Sequence, residues 1–241
     1  MKKLLLALLI FNSTAIFSQS WWNSKKVRGN GNVVTEKRNV GSFDEVSLSG
    51  FFDVILVNGT EGKITLDGEE NILPYIITEV KRGTLRIKVK KNTNIRTKRK
   101  LTVTVPFEKI NGVALGGSGS IISEKTISGN EVSVSIGGSG NIKATVDAET
   151  VKASIGGSGN INLKGNSDNL KCSVAGSGNI RAYGLEVNDL KVSVAGSGDV
   201  EATVSNKIKA SIAGSGSIYY KGDPKYIDTN SVGSGDVRKR D

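Results

Sequence analysis

Between residues 81 and 100 the chain carries ten basic side chains and no acid: Lys81, Arg82, Arg86, Lys88, Lys90, Lys91, Arg96, Lys98, Arg99 and Lys100. The formal net charge of the 241-residue chain is +10, so everything outside this stretch sums to zero. So concentrated a patch draws polyanions by long-range attraction. For an exported protein these are acidic polysaccharide, lipopolysaccharide phosphates, teichoic acid or extracellular DNA; intracellular nucleic acid is not expected. Arg86, Lys88, Lys90, Lys91, Arg96, Lys98, Arg99 and Lys100 are the candidate anion-binding residues. The alternative is a solvated hairpin whose Lys and Arg keep an edge strand from pairing with other chains.

Other chemistry is thinly provided. The chain has no His and one Cys. That excludes Ser-His-Asp and Cys-His catalysis, His-based zinc sites, an intramolecular disulfide and any multi-Cys metal cluster. No cofactor and no metal are expected. Polysaccharide cleavage would need two carboxylates roughly 5–9 Å apart. Asp199 with Glu201 or Asp223 could supply them, but the acids are scattered and no equivalent position is repeatedly acidic. A non-enzymatic binding module is the favoured reading. A polysaccharide lyase or hydrolase, and an envelope lipid-binding or structural protein, are the alternatives.

The framework is set by a repeat. Gly-Ser-Gly begins at Gly117, Gly138, Gly157, Gly176, Gly196, Gly214 and Gly233, at steps of 18 to 21 residues. Alternating apolar residues lead into each triplet, as in Val132-Ser-Val134-Ser-Ile136, and an Ile or Val follows it. A period of two marks a strand with one buried face. Each unit reads as strand, glycine corner, strand and short variable loop. One such unit cannot bury its apolar face alone, so units must stack. The expected fold is all-β: a right-handed parallel β-helix with ~19-residue rungs about 4.8 Å apart and an irregular N-terminal half. A string of hairpins with Gly-Ser-Gly turns is the alternative. The seven glycines are the structural corners. The triplet serines, and Asn141, Asn160 and Asn179 beside them, should stack as ladders. No helical pattern follows the triplets, which excludes a dinucleotide fingerprint. Only Asp199 and Asp236 follow a triplet, which argues against calcium-binding repeats. Cys172 shares its slot with Val134, Ala153, Val192 and Ala210, and should be buried and inert. Thr229 and Ser231 replace apolar residues in the last unit, so 222–241 reads as a cap, with Tyr219, Tyr220 and Tyr226 closing the rod's end or stacking on sugar.

The start of the chain has the layout of a secretory signal: Met1, Lys2 and Lys3, an apolar run from Leu4 to Phe11, and Ser18 at a cleavage position. The run is too short to span a bilayer, and no Cys near the cleavage point offers a lipid anchor. The expected organisation is a signal peptide at 1–18, a flexible segment at 19–29, a single β-helix domain at 30–237 and a tail at 238–241. Within the domain, 30–112 holds irregular rungs with the basic hairpin and 113–237 the seven repeats. The protein is expected to be exported: periplasmic, surface-associated or secreted, with no transmembrane segment. In Leu85-Arg-Ile87-Lys-Val89 the basic residues point away from the apolar ones. Glu69 to Glu79 could form a short helix interrupted by Pro74.

The segment Val46-Ser-Leu48-Ser-Gly50-Phe-Phe-Asp53-Val54 aligns with Val113-Ala-Leu115-Gly-Gly117-Ser-Gly-Ser120-Ile121. This opening, followed by Gly-Ser-Gly-Asn-Ile repeats, resembles the putative auto-transporter adhesin head GIN domain family over roughly residues 30–237. The resemblance implies an exported right-handed β-helix with adhesin-like binding, and no catalytic motif to carry over. An auto-transporter also has a membrane barrel of many strands; the four residues after Val237 are not expected to build one.

Overall fold

The computed structural model describes residues 24–240. The expected signal segment at 1–18 lies outside the described residues. The alternating pattern forms a parallel β-solenoid of about seven turns, with rungs about 19 residues apart. In the repeats the strands are nearly unbroken: Asn141–Gly157, Asn160–Gly176, Asn179–Gly196 and Val200–Gly214. Only the corner after each glycine interrupts them. The variable loops expected between units are ladder instead, since Asp147, Asn166 and Glu186 remain in parallel register. Chain-length differences are absorbed by irregularities such as the one between Ala182 and Glu186. Parallel register at every repeat also replaces the hairpin alternative.

Register converts sequence alternation into continuous apolar columns. Ile142, Ile161, Ile180 and Val200 stack in one column. Val151, Leu170, Leu190 and Ile208 stack in another. All are buried, and each such side chain contributes about 1.5–3 kcal/mol by leaving water. Cys172 sits between Ala153 and Val192 in the same interior. Burial pushes its thiol up to about 12, which leaves it unreactive.

At the corners backbone packs on backbone. Six of the seven corner glycines have φ between +124° and +139°, a region that side chains resist. Gly138 is the exception, yet a Cβ there would still lie 2.4 Å from the Gly117 carbonyl oxygen. The Gly138 carbonyl accepts N–H bonds from Ser158 (2.9 Å) and Gly159 (3.0 Å) of the next rung. The exposed serines are thus tied through their backbone. The asparagines form a true side-chain ladder: Asn179 Nδ2 donates to Asn160 Oδ1 at 3.2 Å, and Asn160 Nδ2 to Asn141 Oδ1 at 3.1 Å. Asp199 continues it, donating its own N–H to Asn179 Oδ1 and accepting from the Ser217 N–H.

The N-terminal half is permuted in space. Strand Glu45–Gly50 pairs with Gly112–Gly117 on one side and with Thr84–Val89 on the other. Asp53–Asn58 likewise lies between Ser120–Ser123 and Thr102–Phe107. Residues 84–107 therefore form the first rung, although they follow the second in sequence. Antiparallel strands close that end: Ile76–Lys81 pairs with Thr84–Val89, while Lys63–Glu69 pairs with Thr102–Phe107 and with Val33–Asn39. The expected helix at 69–79 is one 3-10 turn, Leu73–Tyr75. Pro74 sits in its first turn and Ile76, Ile77 and Thr78 favour a strand. Among the described residues no helix is long and apolar enough to cross a membrane.

Gly157 and Gly156 separate the corner constraint from mere smallness. A Cβ on Gly157 would lie 2.5 Å from the Gly138 carbonyl oxygen at φ +139°, whereas one on Gly156 would meet only the Ile136 oxygen at 3.9 Å. Gly157→Ala should lower stability by about 1–3 kcal/mol from backbone strain alone, and Gly156→Ala should leave it within about 0.5 kcal/mol. Denaturant melts of the two variants provide the check.

Candidate binding surface

The basic stretch begins on a hairpin. Strands Ile76–Lys81 and Thr84–Val89 are joined through Arg82 and Gly83, both at positive φ, 52° and 75°. Such a turn matches strand twist. Alternation buries Leu85 and Ile87 and turns Arg86 and Lys88 outward. Lys88 does not remain a free cation: its Nζ lies 2.6 Å from Glu79 Oε1, and Lys81 Nζ lies 3.2 Å from Glu79 Oε2. The Lys88 hydrogen bond, then that of Lys81, holds the Glu79 carboxyl below its ordinary range.

Where other rungs turn a tight glycine corner, the first rung extends an arm. Lys88 pairs with Ser49 and Thr102 with Asp53. Between those points the second rung has Gly50, Phe51 and Phe52, whereas the first has residues 89–101. This arm carries Lys90, Lys91, Arg96, Lys98, Arg99 and Lys100. Lys100 Nζ is paired with Asp53 at 2.8 Å. Lys90, Lys91, Arg96, Lys98 and Arg99 are exposed and make no ion pair among the described residues. The structure thus gathers six of the eight candidate residues on the arm, five of them without an ion pair, and leaves Arg86 exposed nearby. It sets Lys88 and Lys100 against acids from other segments.

Three further cations join them. The segment 19–29, expected to be flexible, contributes strand Lys25–Arg28, which pairs in parallel with arm strand Thr93–Arg96. Buried Val27 opposite Ile95 anchors it. Lys26 and Arg28 then stand opposite Asn94 and Arg96, all exposed. Lys25 Nζ lies 5.1 Å above the Tyr75 ring. Basic residues flanking a lone Val were the only sequence signal for this strand.

One buried acid fixes the arm. Glu69 is 1% exposed. Its carboxylate accepts N–H bonds from Gly31 (2.6 Å), Lys98 (2.8 Å) and Arg99 (3.3 Å). Burial alone would raise its pKa, but these backbone donors outweigh burial and the net direction is down. Nothing in the sequence distinguishes Glu69 from a surface glutamate.

The first-rung surface borders a groove of about 420 Å³ lined by Phe51, Val89 and Ile95 with polar neighbours. Phe51 occupies the place of the triplet serine in the next rung and is 38% exposed. A second, larger groove of about 680 Å³ lies on the repeats. Asp147, Glu149, Asp168, Glu186 and Asp223 line it together with Asn166 and Asn188. The acids scattered in sequence are therefore partly gathered in space. Asp199, offered as half of a cleaving pair, belongs instead to the asparagine ladder. Among the described residues no cluster could hold a metal ion. At the far end Tyr219 lies under the Arg240 guanidinium at 4.6 Å and Tyr220 packs on the core, while Tyr226 is exposed.

The family model for the putative auto-transporter adhesin, head GIN domain, matches residues 42–224. Among solved structures, a putative adhesin from Bacteroides fragilis aligns with a TM-score of 0.84 at 24% identity, over 89% of this chain and 100% of its own. A putative lipid binding protein from Parabacteroides distasonis aligns with a TM-score of 0.76 at 27% identity, over 90% of this chain and 100% of its own. No curated protein matches the chain.

Glu69→Gln would put an amide NH₂ among three N–H donors and should lower the melting temperature at pH 7. Because folding depresses the Glu69 pKa, its contribution is complete above the ordinary value of 4.5 and is lost as pH falls through the lower folded value. The gap between wild type and variant should close over that acidic window in a pH series of thermal melts.

Proposed function

The chain belongs to the putative auto-transporter adhesin, head GIN domain family, and we propose that it is an exported, non-enzymatic module that binds an anionic polymer. Acidic polysaccharide or lipopolysaccharide is the partner class. The observation that carries this reading is the arm at 89–101. It replaces a tight corner with an extended loop whose Lys90, Lys91, Arg96, Lys98 and Arg99 side chains are exposed and make no ion pair among the described residues. A solubility device would not need a buried acid to hold its backbone, yet Glu69 holds Lys98 and Arg99 in place. Arginine and lysine fixed in this way present charge without the full entropic cost of ordering a loop at binding. Export is supported by the signal-like pattern at residues 1–18.

A second reading has one observation in its favour. The groove beside Phe51, Val89 and Ile95 places apolar surface against the arm, a combination suited to an anionic lipid. The 27% identical structure carries a lipid-binding description.

Binding to sulfated or phosphorylated glycans should weaken steeply with salt, since exposed charges are screened beyond about 8 Å at physiological ionic strength. The triple variant Lys90→Glu, Lys91→Glu, Arg96→Glu should abolish it without changing the melting temperature. Binding retained by that variant would remove the arm from the site. Phe51→Ser restores the residue found at the other corners; it should spare glycan binding, and loss of vesicle binding alone would favour the lipid reading.

A further inference from the structure

The repeats are close to neutral in sum, but register sorts their charges into separate columns. Lys152, Lys171, Lys191 and Lys209 stack on successive rungs, about 4.8 Å apart. Like charges facing one another across strands are unfavourable. The two ends of the row are neutralised by the chain itself: Lys152 Nζ lies 2.7 Å from Glu131, and Lys209 Nζ lies 3.5 Å from Asp228. The inner two, Lys171 and Lys191, are exposed and have no ion pair or hydrogen-bond partner among the described residues. Asp189, two residues before Lys191, accepts its bond from Asn206 instead.

Beside this row the outward face is low and hydroxylated. Two residues further along each strand come Ser154, Ser173, Ser193 and Ser211, and two further again Gly156, Ala175, Ala195 and Ala213, all exposed. The serine column continues through Ser135, Ala114 and Ser47 to Arg86. A floor of small side chains therefore joins the basic first rung to the lysine row on one face of the rod. Four rung steps separate Arg86 from the level of Lys152, about 19 Å. In the lysine column itself that interval holds Glu45, Gly112 and Ser133, so the two basic regions are distinct stations.

We propose that this face is a track on which a linear anionic polysaccharide lies along the rod axis, held at one station by the arm and Arg86 and at the other by Lys171 and Lys191. The proposal rests on the polyanion reading above and extends it from a local patch to a two-station site. Two linked stations gain affinity once a single chain reaches both. A free phosphate or a short anion would occupy one station only.

The test uses a size series of heparin oligosaccharides, from the disaccharide upward, on the wild-type protein and on Lys171→Gln, Lys191→Gln. Both lysines are exposed, so the melting temperature of the double variant should match wild type. Lys171 lies five rung steps from Arg86, so wild-type affinity should step upward once the oligomer is longer than about 24 Å. The double variant should lose that step, on the order of tenfold or more for the longest oligomers, while its affinity for the shortest stays unchanged. A step that survives in the double variant overturns the track and leaves the arm reading standing. Absence of binding at every length by wild type overturns both.

Discussion

The approach of one glycine backbone to the next sets the whole molecule. From Gly50 to Gly196 each corner carbonyl takes N–H bonds from two residues of the following rung, as Gly138 does from Ser158 and Gly159, and Gly214 takes one from Gly235. A side chain at that point would overlap the carbonyl it stacks on. The close approach keeps successive rungs in register. Register in turn aligns the isoleucine and valine columns that supply the hydrophobic stabilisation. Without the corner, alternation would still make strands, but nothing would hold equivalent residues over one another.

Register acts equally on the surface. A side chain repeated at one position of the unit becomes a row, whether or not the repeat region is neutral overall. Asparagines at one such position satisfy one another through amide bonds. Lysines at another cannot, and only the ends of their row find acids. Elsewhere the same rule gathers carboxylates and amides along a groove. The first rung departs from the rule by replacing its corner with an arm, and a buried glutamate anchors that arm. Charge in this fold is thus displayed in two ways: by a specialised terminal rung and by repetition along the rod.

Much of the architecture was legible because a two-residue period and an invariant glycine leave few choices. The alignment of Val46 with Val113 and of Asp53 with Ser120 is the observed register. The Cys172 slot was legible for the same reason. The permuted first rung was not, because stacking order is decided by which edges remain open, not by order along the chain. Residues 84–107 stack beneath 45–58 because the latter's other edge is taken by 112–123. The basic stretch was visible as charge, but its division was not. Glu79 and Asp53 reach Lys88 and Lys100 from other strands, and strand Lys25–Arg28 joins with Val27 as its one apolar residue. The lysine row was hidden because its members lie 18 to 20 residues apart with acids interspersed between them.

Lysine footprinting by acetylation and mass spectrometry, with and without a long sulfated polysaccharide, tests the central claim of a charged face most directly. Lys90, Lys91 and Lys98 on the arm should be protected together with Lys171 and Lys191 on the rod, while exposed Lys143, which lies outside the lysine row, stays reactive. Uniform reactivity, or protection of Lys143 with the row left open, would contradict it.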